Sequence, residues 1–205
     1  MHSKTKVRRV HAEGRKLELE DGSEQTFDNI LISTGARALL PNLKGLPDER
    51  VFLMRTMEDA CRLRQYLDTH PVKKAVVVGA SMVGIKVAEL LLNRGADTTI
   101  ADFASWLFPL ASFENVGREL ERRVAAKGIH FKWKAAIEEI SKAGARFSDG
   151  EELEADLICL CIGTRANVEL AANTEVAQDQ PIAIRHGIVV NNRMETKIGR
   201  ASRRE

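Results

Sequence analysis

Lys74-Ala75-Val76-Val77-Val78-Gly79-Ala80-Ser81-Met82-Val83-Gly84 is the stretch on which the fold turns. Its first five residues have the composition of a buried strand. Gly79 and Gly84 follow, and then Ile85 to Arg94 repeats apolar residues at helical spacing, at Val87, Ala88, Leu91 and Leu92. Gly95 is placed to stop that helix. Strand, glycine turn and helix make the phosphate-binding half of a βαβ unit. Gly79 allows a tight turn off the strand, and Gly84 allows the helix to pack on the sheet. The amide N–H groups at the helix start, at the positive end of its dipole, suit a pyrophosphate. Ser81, Met82 and Val83 would line that cradle. Ser81 stands where a middle glycine is usual, and its hydroxyl can itself donate to a phosphate.

Reading onward, Thr98 to Ala101 forms the next strand and ends at Asp102, 23 residues past Gly79. A carboxylate there accepts both ribose hydroxyls and repels a 2′-phosphate, which favours NAD(H) over NADP(H). Phe103 to Trp106 add no Arg or Lys that would reverse this. The structural alternative is that Asp102 only starts a loop and the two glycines serve folding. Glu114 to Lys127 predicts a second helix, and Ile129 to Trp133 a third strand. Ala135 to Ile140, Ala145 to Ser148 and Leu153 predict a hairpin region, and Leu157 to Ile162 another buried strand. Alternating helices and apolar strands predict an α/β chain with a Rossmann-like, doubly wound sheet.

The chain also repeats itself. Asp21-Gly22 through Phe27-Asp28-Asn29-Ile30-Leu31-Ile32-Ser33-Thr34-Gly35-Ala36-Arg37 aligns without a gap on Asp149-Gly150 through Ala155-Asp156-Leu157-Ile158-Cys159-Leu160-Cys161-Ile162-Gly163-Thr164-Arg165. Two copies of one strand-turn-strand unit imply two domains of one type. Gly35 and Gly163 close the matching strands, where a ligand can approach a backbone without Cβ. Only the second copy follows a glycine loop. Residues 6–27 alternate as a β-meander, Asn29 to Ser33 predicts a buried strand, and Gly187 to Asn191 one more. Met57 to Leu67 predicts a helix with Thr56 as N-cap. The expected organisation is the C-terminal part of a first domain over 1–37, a linker over 38–55, an NAD-binding domain over 56–165 and an incomplete return segment over 166–205, with a basic, structureless end.

Composition excludes several classes. Of the 205 residues 44% are apolar and 29% charged, with a net charge of +2, and aromatic residues make up 5%. This is an ordinary globular balance, with too mild a charge and too few rings for a nucleic-acid surface. No apolar run approaches a membrane span, and the N-terminus shows no signal-peptide core. Cys61, Cys159 and Cys161 lack a metal or redox spacing and read as buried small hydrophobes, which suits a reducing cytoplasm. No residue set suggests a metal site or a catalytic group acting alone.

Val76 to Leu90, Asp28 to Arg37, Met54-Arg55-Thr56 with Asp59-Ala60, and Gly187 to Asn191 together resemble the pyridine nucleotide-disulfide oxidoreductase superfamily, whose members include NADH oxidases, coenzyme A disulfide reductases and the flavin domains of nitrite reductases. The resemblance implies a three-layer ββα NAD domain inserted into an FAD domain, and hydride transfer from NADH to flavin. It places Thr34 and Gly35 in the segment that closes the FAD domain. Met82 falls at the gate over the nicotinamide pocket, and Lys86 where many members have Glu. The family's first glycine loop, its redox cysteine and its closing Gly-Asp segment have no counterpart here, so the chain is expected to be truncated at both ends and not to retain FAD. A homodimer and a separate flavin-containing chain are both open as partners. The rival expectation is a non-catalytic NAD-binding module or truncated gene product.

Overall fold

The computed structural model describes residues 3–109, 111–174 and 182–196. In chain order its elements are β1 (Val7–His11), β2 (Lys16–Leu19), β3 (Glu24–Thr26), β4 (Ala36–Ala38), β5 (Val51–Leu53), α1 (Met57–Thr69), β6 (Lys74–Val78), α2 (Met82–Asn93), β7 (Asp97–Asp102), α3 (Glu114–Ala125), β8 (Ile129–Trp133), β9 (Ile137–Ile140), β10 (Gly144–Phe147), β11 (Glu152–Glu154), β12 (Leu157–Leu160), β13 (Thr164–Ala166) and α4 (Glu169–Ala172). The chain forms two compact units, one of residues 1–37 with 165–205 and one of residues 38–164.

The second unit is built on a five-stranded sheet in the order β5-β12-β6-β7-β8, and every neighbouring pair in it is parallel. Parallel strands covered on both faces read as continuous apolar runs, and Val76, Val77, Ile158 and Cys159 are all fully buried. Alternate side chains go to opposite layers. Val77, Ile100, Leu157 and Cys159 face α1, α2 and α3, and pack with Leu63, Val87, Ala88 and Leu91. Val76, Val78, Ile158 and Leu160 face the small antiparallel sheet β11-β10-β9, and pack with Ile140, Ala145 and Phe147. The architecture is thus the Rossmann-like, three-layer ββα arrangement. The helix starts follow local chemistry. Thr56 and Asp59 cap α1 reciprocally, as a capping box, and Ser81 caps α2 through its hydroxyl.

The first unit holds the meander β1-β2-β3, with α4 packed against β1. The sequence repeat is a repeat of hydrogen bonding. In the first copy Gly22 N donates to Leu19 O (3.0 Å) and Leu19 N to Ser23 O (2.9 Å); in the second Gly150 N donates to Phe147 O and Phe147 N to Glu151 O (both 2.9 Å). The copies then part. Leu157–Leu160 lies buried between two strands, whereas the matching residues 29–32 form no strand; Ile30 is 40% and Leu31 86% exposed. No strand among the described residues pairs with them, and an extended apolar segment without ladder partners is not a buried strand. Gly187–Asn191 likewise forms no strand, only the single bridge Ile184↔Ile188. The basic end at 197–205 lies outside the described residues. Within 38–55, which composition reads as linker, Val51–Leu53 is the edge strand β5. Cys159 and Cys161 are buried, but Cys61 is exposed: it sits on the solvent side of α1. Among the described residues no helix is long and apolar enough to cross a membrane.

Candidate functional site: a glycine turn at the carboxyl edge of the sheet

β6 runs into Gly79, whose φ of +109° is one that a side chain would strain. A Cβ on Gly84 would collide with the carbonyl of Gly79, so the turn closes tightly only with both glycines. Gly79 N donates to Ala101 O (2.8 Å), and Ile85 N to Ser81 O (2.9 Å). Gly84 N donates to the Ser81 hydroxyl (3.1 Å), and Ala80 N to Asp102 Oδ2 (2.6 Å). Among the described residues this leaves the amides of Ser81, Met82 and Val83 without a protein partner. They are three consecutive donors at the start of a 12-residue helix whose first turn carries no acid. Helix dipole and open donors together favour an anion there.

The Ser81 hydroxyl is not a free donor. Its one proton goes to Cys161 O (3.1 Å), while its oxygen accepts Gly84 N–H. The side chain thus caps α2 and ties the turn to the chain just past β12. Cys161 O gave no sequence signal because it acts through its backbone. Burial pushes the Cys161 thiol up to about 12 and the Cys159 thiol well above its usual range, so neither offers a thiolate.

Asp102 closes β7, and its two oxygens accept from Ala80 N and from Ala104 N (2.7 Å). Each carboxylate oxygen can take a second donor. The carboxylate is thereby held rigidly over the turn with capacity left for hydroxyl groups. Gly163, with φ +107°, has no atom within 4 Å of where a Cβ would stand, so its backbone is open to approach. Gly79, Ser81, Met82, Val83, Gly84 and Asp102 are brought together, and Gly163 lies two residues past Cys161. Met82 is 70% exposed. Lys86, a turn along α2, pairs with Glu89 (2.8 Å) on the solvent face.

Thr34 and Gly35 belong to the first unit. Gly35 is open in the same way, at φ +68°. The Thr34 hydroxyl donates to Asn167 O. Asn167 was not singled out by sequence: it lies two residues past the end of the repeat at Arg165. A cavity of about 720 Å³ in this unit is lined by Val7, Thr34, Asn167 and Leu170, with Lys6, Arg8, Glu20 and Glu169 as its charged groups. Among the described residues no cluster of His, Cys, Asp or Glu is placed to hold a metal ion.

A parallel sheet with a glycine turn opening a helix at its carboxyl edge, and an acid ending the next strand, defines a dinucleotide-binding domain of the oxidoreductase type. Known proteins narrow the class. The pyridine nucleotide-disulphide oxidoreductase family matches residues 1–200. The chain is 28% identical to nitrite reductase [NAD(P)H] of Bacillus subtilis (strain 168), over 97% of this chain and 24% of that protein. It is 30% identical to the NADH-dependent phenylglyoxylate dehydrogenase subunit epsilon of Aromatoleum evansii, over 94% of this chain and 45% of that subunit. The crystal structure of a ferredoxin reductase from Rhodopseudomonas palustris superposes with a TM-score of 0.83 at 25% identity, covering 94% of this chain and 47% of that one. The chain thus spans from a quarter to just under half the length of these relatives. It belongs to the pyridine nucleotide-disulphide oxidoreductase family, whose members bind NAD(H) and FAD.

Proposed function

We propose that this chain is the NAD(H)-binding portion of a flavoprotein oxidoreductase in which NADH gives a hydride to flavin. The observation that carries the reading is the run of open amides at Ser81, Met82 and Val83, with the Asp102 carboxylate fixed above the same turn. In this assignment the three amides hold the pyrophosphate and Asp102 accepts the adenosine ribose hydroxyls. Gly163 lets the dinucleotide lie against the chain after β12. Met82 covers the nicotinamide end, with Lys86 beside it. Residue groups here only bind and orient; the hydride chemistry is the cofactors' own.

The flavin is a separate matter. Among the described residues one glycine phosphate turn is present, at 79–84, and it lies in the second unit. The first unit as described offers Thr34, Gly35 and a neighbouring cavity whose cations Lys6 and Arg8 are paired with Glu20 and Glu18. In this reading tight flavin binding needs residues beyond those described in this unit, and a homodimer and a separate flavin-containing chain are the partners proposed to supply them. The exposed Ile30 and Leu31 favour such completion. Three free thiols fit a reducing, cytoplasmic setting.

Calorimetry tests the core of the proposal. NADH should bind more tightly than NADPH, and Asp102→Ala should narrow the gap, at a cost of about 1–3 kcal/mol for hydrogen bonds to a charged group. Equal affinities for the two nucleotides in the unmutated chain would remove Asp102 from the ribose, and absence of binding would remove the nucleotide reading. Absorbance near 450 nm separates the flavin readings: the chain alone should be colourless or carry flavin well below one equivalent.

A further inference from the structure

We propose that Lys134 sets how far the site tolerates a phosphate on the 2′ position of the adenosine ribose, an assignment that rests on the nucleotide-binding reading above. In the sequence the charge bearing on that position is Asp102, since Phe103 to Trp106 hold no Arg or Lys. The folded chain brings a second charge from the neighbouring strand. Asp102 pairs in register with Trp133, the last residue of β8. The chain beyond β8 is then pinned to the residues flanking Phe103: Ala135 N donates to Asp102 O (3.1 Å), and Lys134 N to Ala104 O (3.0 Å). Lys134 thus stands at the carboxyl edge of the sheet, beside the residue placed on the ribose.

Two observations set this lysine apart from an ordinary surface cation. Its φ is +57°, a left-handed conformation that glycine or asparagine takes at lower cost. A strained residue at a ligand-binding edge points to a use for its side chain, and what lysine adds over glycine there is a charge. That charge is also unspent. The other basic side chains of β8 and α3 are engaged: Lys132 by Asp149 and Glu151, His130 by Asp97, Arg118 by Glu114 and Glu121, and Arg122 and Arg123 by Glu119. Lys134 is exposed, and its ammonium has no ion pair or hydrogen bond among the described residues.

A phosphate monoester carries close to two negative charges at neutral pH. The fixed Asp102 carboxylate repels it, and an ammonium on a flexible four-carbon stem attracts it. Discrimination is a difference of affinities, to which the repulsive and the attractive group both contribute. The acid keeps NADH ahead, and the lysine keeps NADPH from being shut out. NADH presents a hydroxyl at the same place and gains little from the ammonium.

The test is calorimetry of the full chain with NADH and NADPH, at low salt and at about 1 M salt, where exposed charges are screened. At low salt Lys134→Gln should weaken NADPH about fivefold, the scale of an exposed ion pair, and should shift NADH much less. Lys134→Arg should bind both as the unmutated chain does. Lys134→Gly should lose NADPH affinity as Lys134→Gln does while melting no lower than the parent, because glycine takes the left-handed conformation freely; a purely structural lysine would not give that split. In about 1 M salt the difference between parent and Lys134→Gln should shrink. An unchanged ratio of NADPH to NADH affinity in Lys134→Gln overturns the assignment and leaves the nucleotide site standing. So does an equal loss in Lys134→Arg, or a parent that binds NADH and shows no NADPH binding at low salt. If the unmutated chain binds neither nucleotide, the nucleotide reading falls and this assignment with it.

Discussion

Thr34 and Asn167 bind each other twice although 133 positions separate them: the Thr34 hydroxyl donates to Asn167 O, and Asn167 Nδ2 donates to Thr34 O (2.9 Å). Asn167 N also donates to Gly35 O (2.9 Å), and Asn167 Oδ1 accepts from Arg37 (2.8 Å). One asparagine thus gathers the chain leaving the first unit and the chain returning to it. Asn167→Ala removes both side-chain bonds and should destabilise this unit by about 1–2 kcal/mol, since each is worth roughly 1 kcal/mol. Hydrogen exchange should show it locally, as faster exchange at residues 34–37 and 165–167 with the amides of β6 and β7 unchanged. Uniform acceleration across both units would show that the clasp is not local.

Two glycines at the same sheet edge should respond differently to alanine. At Gly84 the new Cβ meets the Gly79 carbonyl, which is backbone and cannot yield. Gly84→Ala should open the turn, lower stability by about 2–3 kcal/mol as an overpacked site does, and abolish NADH binding. Gly163→Ala meets no atom but must hold a φ of +107°. Its cost should be about 1–3 kcal/mol of backbone strain, with NADH affinity falling because the open face is now covered. Thermal melts paired with calorimetry check both. Unimpaired binding by Gly163→Ala would place the dinucleotide elsewhere.

Legibility in the sequence followed the range of the interactions involved. β6, the glycine turn, α2 and β8 were readable because each rests on local pattern: a valine run, glycines at fixed spacing, helical periodicity with Gly95 beyond it. The Asp-Gly hairpins were readable for the same reason. Asn29 to Ser33 has the composition of its buried twin at 157–161 and yet is exposed, because a strand is made by its neighbours and composition cannot supply them. Val51–Leu53 shows the converse. Three residues after a stretch with two prolines carry no periodicity, and β12 recruits them as an edge strand through pairing from Ile158 to Leu160. At the site, the glycines and Asp102 declared themselves by spacing. The roles of Cys161 O and Ala80 N could not, since a backbone group's partner is fixed only by the folded chain.

The three cysteines should divide one to two in a thiol titration. Cys61 is exposed on α1, whereas Cys159 and Cys161 are buried, and burial holds both of their thiols in the protonated, unreactive form. The folded chain should react with one equivalent of a disulfide reagent at pH 8, and the remaining two should react only in denaturant. Cys61→Ser should abolish the fast equivalent. A second fast thiol would mean that the core around β12 opens more readily than its packing implies.

Arg50 staples the second unit, and its partner makes the staple sensitive to acid. The guanidinium grips both oxygens of Asp48, at 3.0 and 2.7 Å, and donates to the carbonyls of Ser141 (2.8 Å), Lys142 (3.1 Å) and Ala155 (3.3 Å). Hydrogen bonding from Arg50 is the main cause holding the Asp48 carboxyl below its ordinary value of 3.8. A carboxyl with a depressed folded-state pKa contributes its full stabilisation above the unfolded-state value and loses it as pH falls through the folded-state value. Asp48→Asn should therefore cost about 1–2 kcal/mol at pH 7, and the gap between variant and parent should narrow at acid pH, as the Asp48 carboxyl takes up its proton. Urea midpoints at the two pH values measure it. A gap that stays constant would mean that Asp48 acts by shape alone.

Ser81 has two roles to separate, helix cap and phosphate donor, and a pair of substitutions separates them. Its hydroxyl accepts Gly84 N–H and donates to Cys161 O, so no proton is left for a phosphate. Ser81→Ala removes an N-cap and should cost about 1 kcal/mol of stability, whereas Ser81→Gly should cost only a few tenths. Neither removes the open amides at 81–83. NADH affinity in Ser81→Gly should therefore remain within about twofold of the parent, and Ser81→Ala should follow its stability loss and no more. A tenfold loss of NADH affinity in Ser81→Gly, with the melting temperature kept, would return the hydroxyl to the phosphate and show that its bond to Cys161 is exchanged when nucleotide binds.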